Sequence, residues 1–299
     1  MRPCPYLTAM HSTSPSPRDP GCSLCAARAA SWNARRGFLL AAGAAVAGPA
    51  LAQVDVGGAS AMRKLVPAAT LEDAAGQQYR QMLEQARAQR ALAPGDHPQL
   101  QRLRAIAQRL IPHALQWNER ARAWRWEINL IGSKQINAFC MPGGKIAFYT
   151  GILDQLKLSD DEVAMVMGHE MAHALREHAR ERLVKTQATN LGLRLGAQLL
   201  GLGDLGNVAA SLGGQLLTLK FSRSDETDAD LVGLELAARA GFNPQAAVTL
   251  WRKMGQATGS GGIGFLSTHP TGPDRIEALQ KNVPKVQGLY LQARRVRGF

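Results

Sequence analysis

Apolar residues recur at every third or fourth position in two stretches after residue 68, which is the spacing of one helix face. The first stretch predicts a helix over residues 71–93 that stops at a Pro-Gly-Asp turn, and its apolar face carries Tyr79, Met82, Leu83 and Ala86. The second stretch predicts an amphipathic helix over residues 100–116, with apolar positions at Leu103, Ile106, Ala107, Leu110 and Ile111.

The spacing changes to an alternation of apolar and polar residues between positions 124 and 130, which is typical of a half-buried strand. Two further strands, at residues 136–139 and 146–150, are predicted around a Pro-Gly-Gly turn. Helical patterns dominate on both sides of this short sheet. The chain is therefore predicted to have an α+β fold that is mainly helical with a small three-stranded sheet.

The second half of the chain is predicted to be helical. An apolar run over residues 163–168 indicates a buried helix, in which Gly168 would allow another element to approach closely. Residues 188–219 are rich in Leu, Gly and Ala and predict a helical hairpin, which is either a movable cover that can touch a membrane or a plain core hairpin. Helices at 245–254 and from 273 to about 280 follow, before a basic tail at 286–299.

A His-Glu-Met-Ala-His motif follows the apolar run directly. On a helix, His169 and His173 project from one face a turn apart, so that both imidazoles can bind one metal ion. Glu170 lies beside them, where it can take a proton from a water molecule that the ion activates. A surface helix with solvated histidines would show the same five residues. Two buried histidines, however, are costly unless they are hydrogen-bonded or bound to metal.

The residues after this motif bear on the source of a third ligand. A third histidine would follow a Gly in the pattern HExxHxxGxxH, but Arg176 stands at the position of that Gly. On a continuous helix, His178 lies about 180° from His169. We therefore predict that His178 faces away from the metal and has a structural role.

A separate acidic helix supplies the better third ligand. Glu226 and Asp230 lie four residues apart and share a helix face. Glu226 would bind the metal, while Asp230 would hydrogen-bond a ligand histidine and fix its tautomer. Asp225 and Asp228 are typical of a solvated acidic helix start, which Ser222 or Ser224 would cap.

Four motifs in this order resemble the zinc metallopeptidase family of the CAAX prenyl endopeptidase, HtpX and the Oma-type proteases, especially its soluble bacterial envelope members. They are Asn-Ala-Phe with Pro-Gly-Gly-Lys at 137–145, HExxH at 169–173, Ser-Arg leading into ExxxD at 222–230, and Thr-His-Pro at 268–270 with Arg275. The resemblance covers roughly residues 70–285 and implies a zincin-like domain over about 69–285. It implies that one zinc ion is bound by His169, His173 and Glu226, with Glu170 as the catalytic base. The family often has Glu at the position of Asp228.

Further site residues are expected around this centre. The oxyanion that develops during peptide hydrolysis needs a donor besides zinc, and His269 or Arg275 could serve. In the envelope branch of the family, the matching histidine is also a candidate fourth ligand that keeps the enzyme latent; a simple turn residue is the alternative. Asn137, Ala138 and Phe139 are a candidate edge strand that holds a substrate peptide through main-chain hydrogen bonds, or an ordinary hairpin strand.

The first 52 residues resemble a twin-arginine signal peptide. Arg35 and Arg36 precede 18 uncharged residues, and Ala-Leu-Ala at 50–52 offers a cleavage site. An uncleaved membrane anchor is the alternative, since 18 residues are at the lower limit for spanning. Residues 53–68 are predicted to be a flexible leader. Only Cys140 remains after residue 52, so the mature chain is no disulfide scaffold.

The net charge of +12 bears on the choice of partners. Five arginines and one aspartate lie in residues 1–52, which leaves about +8 for the remainder. The arginines are spread along the predicted helices without interleaved aromatic residues or a nucleic-acid motif, so no nucleic-acid partner is predicted. The favoured interpretation is a solvated basic surface, which either anionic membrane lipids, through peripheral contact, or other envelope polyanions would attract.

These features together predict a periplasmic zinc endopeptidase that hydrolyses misfolded or misassembled envelope proteins as part of protein quality control. The alternative is a chaperone or binding protein that holds unfolded envelope proteins beside a latent zinc site. A structural zinc protein would need a closed site, whereas three ligands and a base indicate an open one.

Overall fold

The two helices predicted from the apolar spacing are present. The computed structural model describes residues 54–58, 61–191, 216, 219–257, 264–269 and 272–298, and it places α1 at Ala68–Ala88 and α2 at Pro98–Leu110. Tyr79 and Leu103 are fully buried on the predicted faces. Both helices end earlier than predicted. After α1 the chain turns at Arg90 (φ 55°), and after α2 it tightens into a 3₁₀ turn, Ile111–Gln116.

A three-stranded mixed sheet follows, as predicted. It consists of β1 (Glu127–Ile131), β2 (Ala138–Met141) and β3 (Lys145–Tyr149) in the order β1-β3-β2. β1 is parallel to β3 and β2 is antiparallel to it. Gly143 and Gly144 make the β2–β3 turn with φ values of 81° and 75°, which glycine adopts readily. The strand proposed to hold substrate, β2, therefore lies at the edge of the sheet.

Two helices form the core beneath this sheet. After α3 (Thr150–Leu156), α4 spans Asp160–Leu175 and is buried at every position from 162 to 175. α6 spans Arg223–Arg239 and packs along α4. A Cβ atom at Gly168 would lie 2.8 Å from the carbonyl oxygen of Gly233, so the predicted close approach at Gly168 is confirmed.

Both core helices begin with a capping box. Ser159 caps α4 together with Glu162, and Ser222 caps α6 together with Asp225. At α6 the Ser222 N–H donates to the Asp225 carboxylate at 2.8 Å, and the Ser222 hydroxyl accepts from the Asp225 N–H at 3.3 Å. The cap predicted for Ser222 is confirmed. Each cap satisfies backbone donors at the start of a helix and fixes where the ligand-bearing helix begins.

α4 does not continue to His178. It ends at Leu175, and Glu177 adopts a left-handed conformation with φ 58°. A new helix, α5, then spans His178–Leu191. The premise that placed His178 on the far side of a continuous helix is therefore wrong.

The C-terminal helices extend further than predicted. α7 spans Ala246–Ala257, α8 spans Gly264–Thr268 and α9 spans Pro273–Val296. The predicted end of the last helix near residue 280 is wrong, and most of the predicted basic tail is helical. The apolar stripe of Leu279, Val283 and Val286 continues past Pro284, whose own side chain is exposed.

Part of the predicted leader packs on the domain. Val54 is buried, and its N–H donates to Glu235 Oε2 at 2.9 Å. Ala61–Leu65 forms a 3₁₀ turn. The predicted signal peptide and most of the predicted 188–219 hairpin lie outside the described residues. None of the helices within the described residues has both the length and the apolar character needed to cross a membrane.

Candidate metal centre

Four donor side chains converge where α4, α6 and the end of α8 meet. His169 and His173 come from α4, Glu226 from the first turn of α6, and His269 directly follows α8. Their potential ligand atoms all lie within 4.8 Å of one another. All four residues are buried, with at most 3% of their surface exposed. The structure thus brings the three predicted ligands together and adds His269 to them.

The spacing of these atoms fits a zinc ion. His169 Nε2 lies 3.2 Å from His173 Nε2 and 3.3 Å from His269 Nδ1. Glu226 oxygens lie 3.5 Å from His169 Nε2 and His173 Nε2 and 3.0 Å from His269 Nδ1. In a tetrahedral site with metal–ligand bonds of about 2.0–2.1 Å, neighbouring ligand atoms are about 3.3 Å apart. Two or three imidazoles and one carboxylate are also a donor set that zinc accepts.

Asp230 lies behind His169, as predicted. The Asp230 Oδ1 atom is 3.0 Å from His169 Nδ1. A carboxylate only accepts, so His169 Nδ1 carries the proton and donates it. This leaves the lone pair of His169 Nε2 directed at the centre, which is the state that binds a metal.

His178 and Asp228 contact the other histidine of α4. His178 Nδ1 lies 3.0 Å from His173 Nδ1, and His178 Nε2 lies 3.1 Å from Asp228 Oδ2. The prediction that His178 faces away is wrong, because the left-handed Glu177 turns the chain back towards α4. The prediction of a solvated Asp228 is wrong as well, since Asp228 also accepts from Arg176 Nε at 2.6 Å.

Arg275 neutralises the carboxylates of α6. Its Nε and Nη2 atoms donate to Asp230 at 2.7 and 2.8 Å, and Nη1 lies 2.8 Å from Glu226 Oε2. The guanidinium carbon, Cζ, also lies over the Trp251 ring, 3.7 Å from the ring centre. Because three of its nitrogen atoms face carboxylates, the geometry favours a positioning role for Arg275. Its catalytic role stays a prediction.

The carboxylates of this cluster are held ionised. Burial alone would raise the pKa of Glu226, but hydrogen bonds with His173 and His269 outweigh burial and lower this pKa strongly. The pKa of Asp230 is likewise lowered, since the charge of Arg275 and the bond to His169 outweigh burial. The hydrogen bonds and opposite charges around Glu226 and Asp230 therefore favour the anionic form of both side chains.

Glu170 has the opposite electrostatic environment. It is buried, and burial raises its pKa despite the nearby charges of His269 and His169 and a hydrogen bond from the Cys140 backbone N–H. Its Oε1 atom lies 3.5 Å from His269 Nε2 and has no hydrogen-bond partner among the described residues. A carboxylate with a raised pKa and a free oxygen is suited to accept a proton.

A cleft joins the centre to the edge of the sheet. Asn137, Ala138 and Phe139 line it, as do Glu170, His173 and His269. The backbone N–H of Ala138 donates to Asn137 Oδ1 at 3.0 Å, and the N–H of Cys140 donates to Glu170. These two N–H groups therefore point away from β3, along the outer edge of β2. The residues predicted to bind substrate therefore lie beside the predicted catalytic groups.

The comparison with known families decides the class of the protein. The model of peptidase family M48 matches residues 98–283, which contain all the donor groups described above. This chain belongs to peptidase family M48. Proteins named metalloendopeptidase or metalloprotease are among its relatives.

The relatives come from mitochondria and from bacteria. The mitochondrial metalloendopeptidase OMA1 of Schizosaccharomyces pombe is 39% identical over 166 residues, 54% of this chain and 48% of the relative. The metalloprotease LoiP of Escherichia coli is 28% identical over 193 residues, 63% of this chain and 72% of LoiP. The beta-barrel assembly-enhancing protease of Escherichia coli is 29% identical over 177 residues, 55% of this chain and 36% of that relative. The chain spans half or less of the length of the OMA1 proteins that head this comparison.

Proposed function

We propose that this M48 peptidase is a zinc endopeptidase that cuts misfolded or misassembled proteins of the cell envelope in the periplasm. The observation that carries the zinc assignment is the convergence of His169, His173 and Glu226 at zinc-like spacing beside the buried Glu170. The envelope assignment is supported by similarity to LoiP and to a protease named for enhancing beta-barrel assembly.

The residues of the site divide the work of hydrolysis. When bound by His169, His173 and Glu226, zinc supplies a Lewis acid for the scissile carbonyl and for the attacking water. Glu170 accepts a proton from that water at Oε1, and its raised pKa lets it pass the proton to the leaving amine. The outer edge of β2 aligns the substrate backbone along the cleft.

His269 makes the described state a closed one. With His269 Nδ1 3.3 Å from His169 Nε2 and 3.0 Å from Glu226 Oε1, a metal at this centre would have four protein donors. Four donors complete a tetrahedral shell, whereas catalysis needs one open position. We therefore propose that His269 keeps the enzyme latent and must move before cleavage. The same observation favours the second candidate function, a chaperone that holds unfolded proteins beside a latent site.

One assay separates these two functions. The purified protein is incubated with unfolded casein, with a chelator, and with the chelator followed by added zinc. A zinc endopeptidase produces fragments that the chelator abolishes and zinc restores. Binding of casein without any fragments under all zinc conditions, by wild type and by His269→Ala alike, would contradict the peptidase and support the chaperone. Zinc content measured on the same preparation shows whether the centre is loaded.

Compartment and membrane contact are further parts of the proposal. Residues 1–52 support export by the twin-arginine route, and the basic charge of the remainder supports peripheral contact with anionic lipids. A reporter fused to residues 1–60 should reach the periplasm only in cells that have the twin-arginine translocase. Normal export without that translocase would contradict this route.

A further inference from the structure

Each of the two histidines of α4 has one ring nitrogen, Nδ1, that faces away from the metal centre. The hydrogen-bond partners of these two nitrogens differ. His169 Nδ1 donates directly to the carboxylate of Asp230 at 3.0 Å. His173 Nδ1 instead meets a second imidazole, His178 Nδ1, also at 3.0 Å. His178 then reaches the carboxylate of Asp228 through Nε2 at 3.1 Å. The hydrogen-bonded chain from His173 to a carboxylate therefore contains one more imidazole ring than the contact of His169 with Asp230.

Some atoms in this chain can only accept a hydrogen bond, and they determine which nitrogen atoms carry the protons. Asp228 is a carboxylate, so His178 Nε2 must carry the proton between them. A neutral His178 then presents the lone pair of Nδ1 to His173, and His173 Nδ1 must be the donor of that bond. The proton of neutral His173 is thereby placed on Nδ1, and Nε2 is left with its lone pair 3.2 Å from His169 Nε2.

The backbone is shaped to make this contact. His178 follows the left-handed Glu177, and it is buried with 4% of its surface exposed. Asp228 is fixed from its other side by Arg176 Nε at 2.6 Å, and Arg176 also donates to the carbonyl of Gly57. Asp228 Oδ2 therefore lies between two nitrogen donors, His178 Nε2 and Arg176 Nε.

The extra ring also has an electrostatic consequence. Glu226 and Glu170 already bring two carboxylates to the centre, and Asp230 adds a third that Arg275 neutralises. Placing the Asp228 carboxylate behind His178 orders His173 without adding another anion in direct contact with a ligand. Like charges at short distance in a buried site are unfavourable, so this arrangement lowers their mutual repulsion.

We propose that His178 and Asp228 are positioning residues for the metal centre, and that they fix the tautomer and the ring orientation of His173 before metal binds. This inference rests on the proposed function in one respect, namely that His173 is a zinc ligand. Removing such outer partners of a ligand histidine typically costs about 10–100-fold in metal affinity.

The test measures zinc binding without any peptide cleavage. Zinc affinity of the full-length protein is determined by competition with a chromogenic chelator, for wild type, His178→Phe, Asp228→Asn and Asp228→Glu. We expect His178→Phe, which keeps a ring but no acceptor, to bind zinc about 10–100-fold more weakly. Asp228→Asn should show a smaller loss, because the amide still accepts but is uncharged, and Asp228→Glu should restore near wild-type affinity.

Controls separate positioning from a general loss of structure. Thr227→Ala changes the partly exposed neighbour of Asp228, whose hydroxyl donates only to the Arg223 carbonyl of the same helix among the described residues, and should leave zinc affinity unchanged. The unfolding temperature of each metal-free variant is measured in parallel. A role confined to folding would lower that temperature without the graded order of zinc affinities, and this result would overturn the proposal.

The remaining outcomes are equally decisive. If wild type binds zinc and both His178→Phe and Asp228→Asn bind it within twofold of wild type, the positioning role is wrong while the proposed function stands. If Asp228→Glu binds as weakly as Asp228→Asn, the carboxylate is not what matters and the proposal also fails. If wild type takes up no zinc, the proposed function itself fails.

Discussion

Among single residues, Glu170 carries the proton transfer that the proposed chemistry requires. Its carboxylate is buried, its pKa is raised, and Oε1 faces the centre without a hydrogen-bond partner among the described side chains. Glu170→Gln keeps the size of this side chain but removes the proton acceptor. We expect cleavage of a casein-derived peptide to fall about 10²–10⁴-fold with unchanged zinc content.

The matching control is an exposed glutamate far along the chain. Glu84→Gln on α1 makes the same chemical change at the surface and should cleave like wild type. If Glu170→Gln retained more than a tenth of wild-type activity with zinc bound, Glu170 would not be the base.

His269 gives a second residue-level prediction, because under the proposed function it occupies the fourth metal position, which a substrate would need. His269→Ala opens that position, so cleavage at saturating zinc should rise by about an order of magnitude, equivalent to about 1.4 kcal/mol in favour of the closed state. Initial rates of peptide cleavage measure this, with His113→Ala as the control for loss of a histidine elsewhere. A lower rate would instead support His269 as an oxyanion donor. An unchanged rate would rule out both roles.

For single residues, the sequence was most informative where the 3.6-residue period of the α-helix determines which side chains share a face. His169 and His173, or Glu226 and Asp230, share a face on any α-helix, and the structure shows both pairs at the centre. His178 was misplaced because the helix ends without a marker in the sequence. The helix ends just before Glu177, whose backbone adopts the left-handed conformation. Non-glycine residues adopt this conformation rarely, and residue type alone does not predict it.

Between elements, the crossing of α4 and α6 determines whether the ligands meet. Their backbones touch at Gly168 and Gly233, and a Cβ atom at Gly233 would lie 2.6 Å from the backbone nitrogen of His169. Gly233→Ala gains up to about 1 kcal/mol of helix propensity but forces the helices apart. Overpacking against backbone should dominate and destabilise the protein by about 1–3 kcal/mol, measured by urea unfolding.

The same helix pair carries His169, Glu226 and Asp230, so Gly233→Ala should also weaken zinc binding. Gly255→Ala on α7 is the matched control, because a Cβ atom there meets nothing within 4 Å. That variant should be as stable as wild type or more stable. Equal stability of the two variants would show that the contact between α4 and α6 is not tight.

Helices and strands were predicted correctly where the apolar and polar spacing of a segment matches the way that it packs. They were predicted wrongly where the two differ. The alternating stretch became β1 and the apolar run became α4, with boundaries shifted by a few residues. α9 continued past Pro284 because its buried stripe continues with Val286, although proline usually ends a helix. The parallel pairing of β1 with β3 depends on contacts between distant segments, so the strand pattern did not predict it.

For the whole molecule, the fold brings an acidic cluster and a basic cluster of side chains into one buried network. Asp230 lies 61 residues from His169 along the chain, and Arg275 lies 45 residues beyond Asp230, yet both contact Asp230 directly. Motif order along the chain indicated that these residues belong to one site. Motif order did not predict the distances and proton positions within the site, because these depend on how α4, α6 and α9 pack against each other.

This network predicts how the stability of the metal-free protein depends on pH. The folded-state pKa of Asp230 is lowered, because the Arg275 charge and the His169 bond outweigh burial. A carboxyl whose pKa is lowered by folding stabilises the folded state above its ordinary pKa, about 3.9 for aspartate. That contribution is lost as the pH falls through the lower folded-state pKa. Asp228 and Glu226 have lowered pKa values as well and act in the same direction.

Asp230→Asn isolates the contribution of one of these carboxylates. In thermal unfolding of the chelator-treated protein, this variant should be clearly less stable than wild type at pH 7, since it leaves the buried Arg275 without its main anion. The difference should begin to shrink as the pH falls below about 3.9, because the unfolded wild type then binds a proton at Asp230 that the folded protein binds only at lower pH. Asp154→Asn, at an exposed position on α3, should show no such convergence. A constant difference between wild type and Asp230→Asn from pH 7 to pH 3 would mean that the Asp230 charge does not hold this network together.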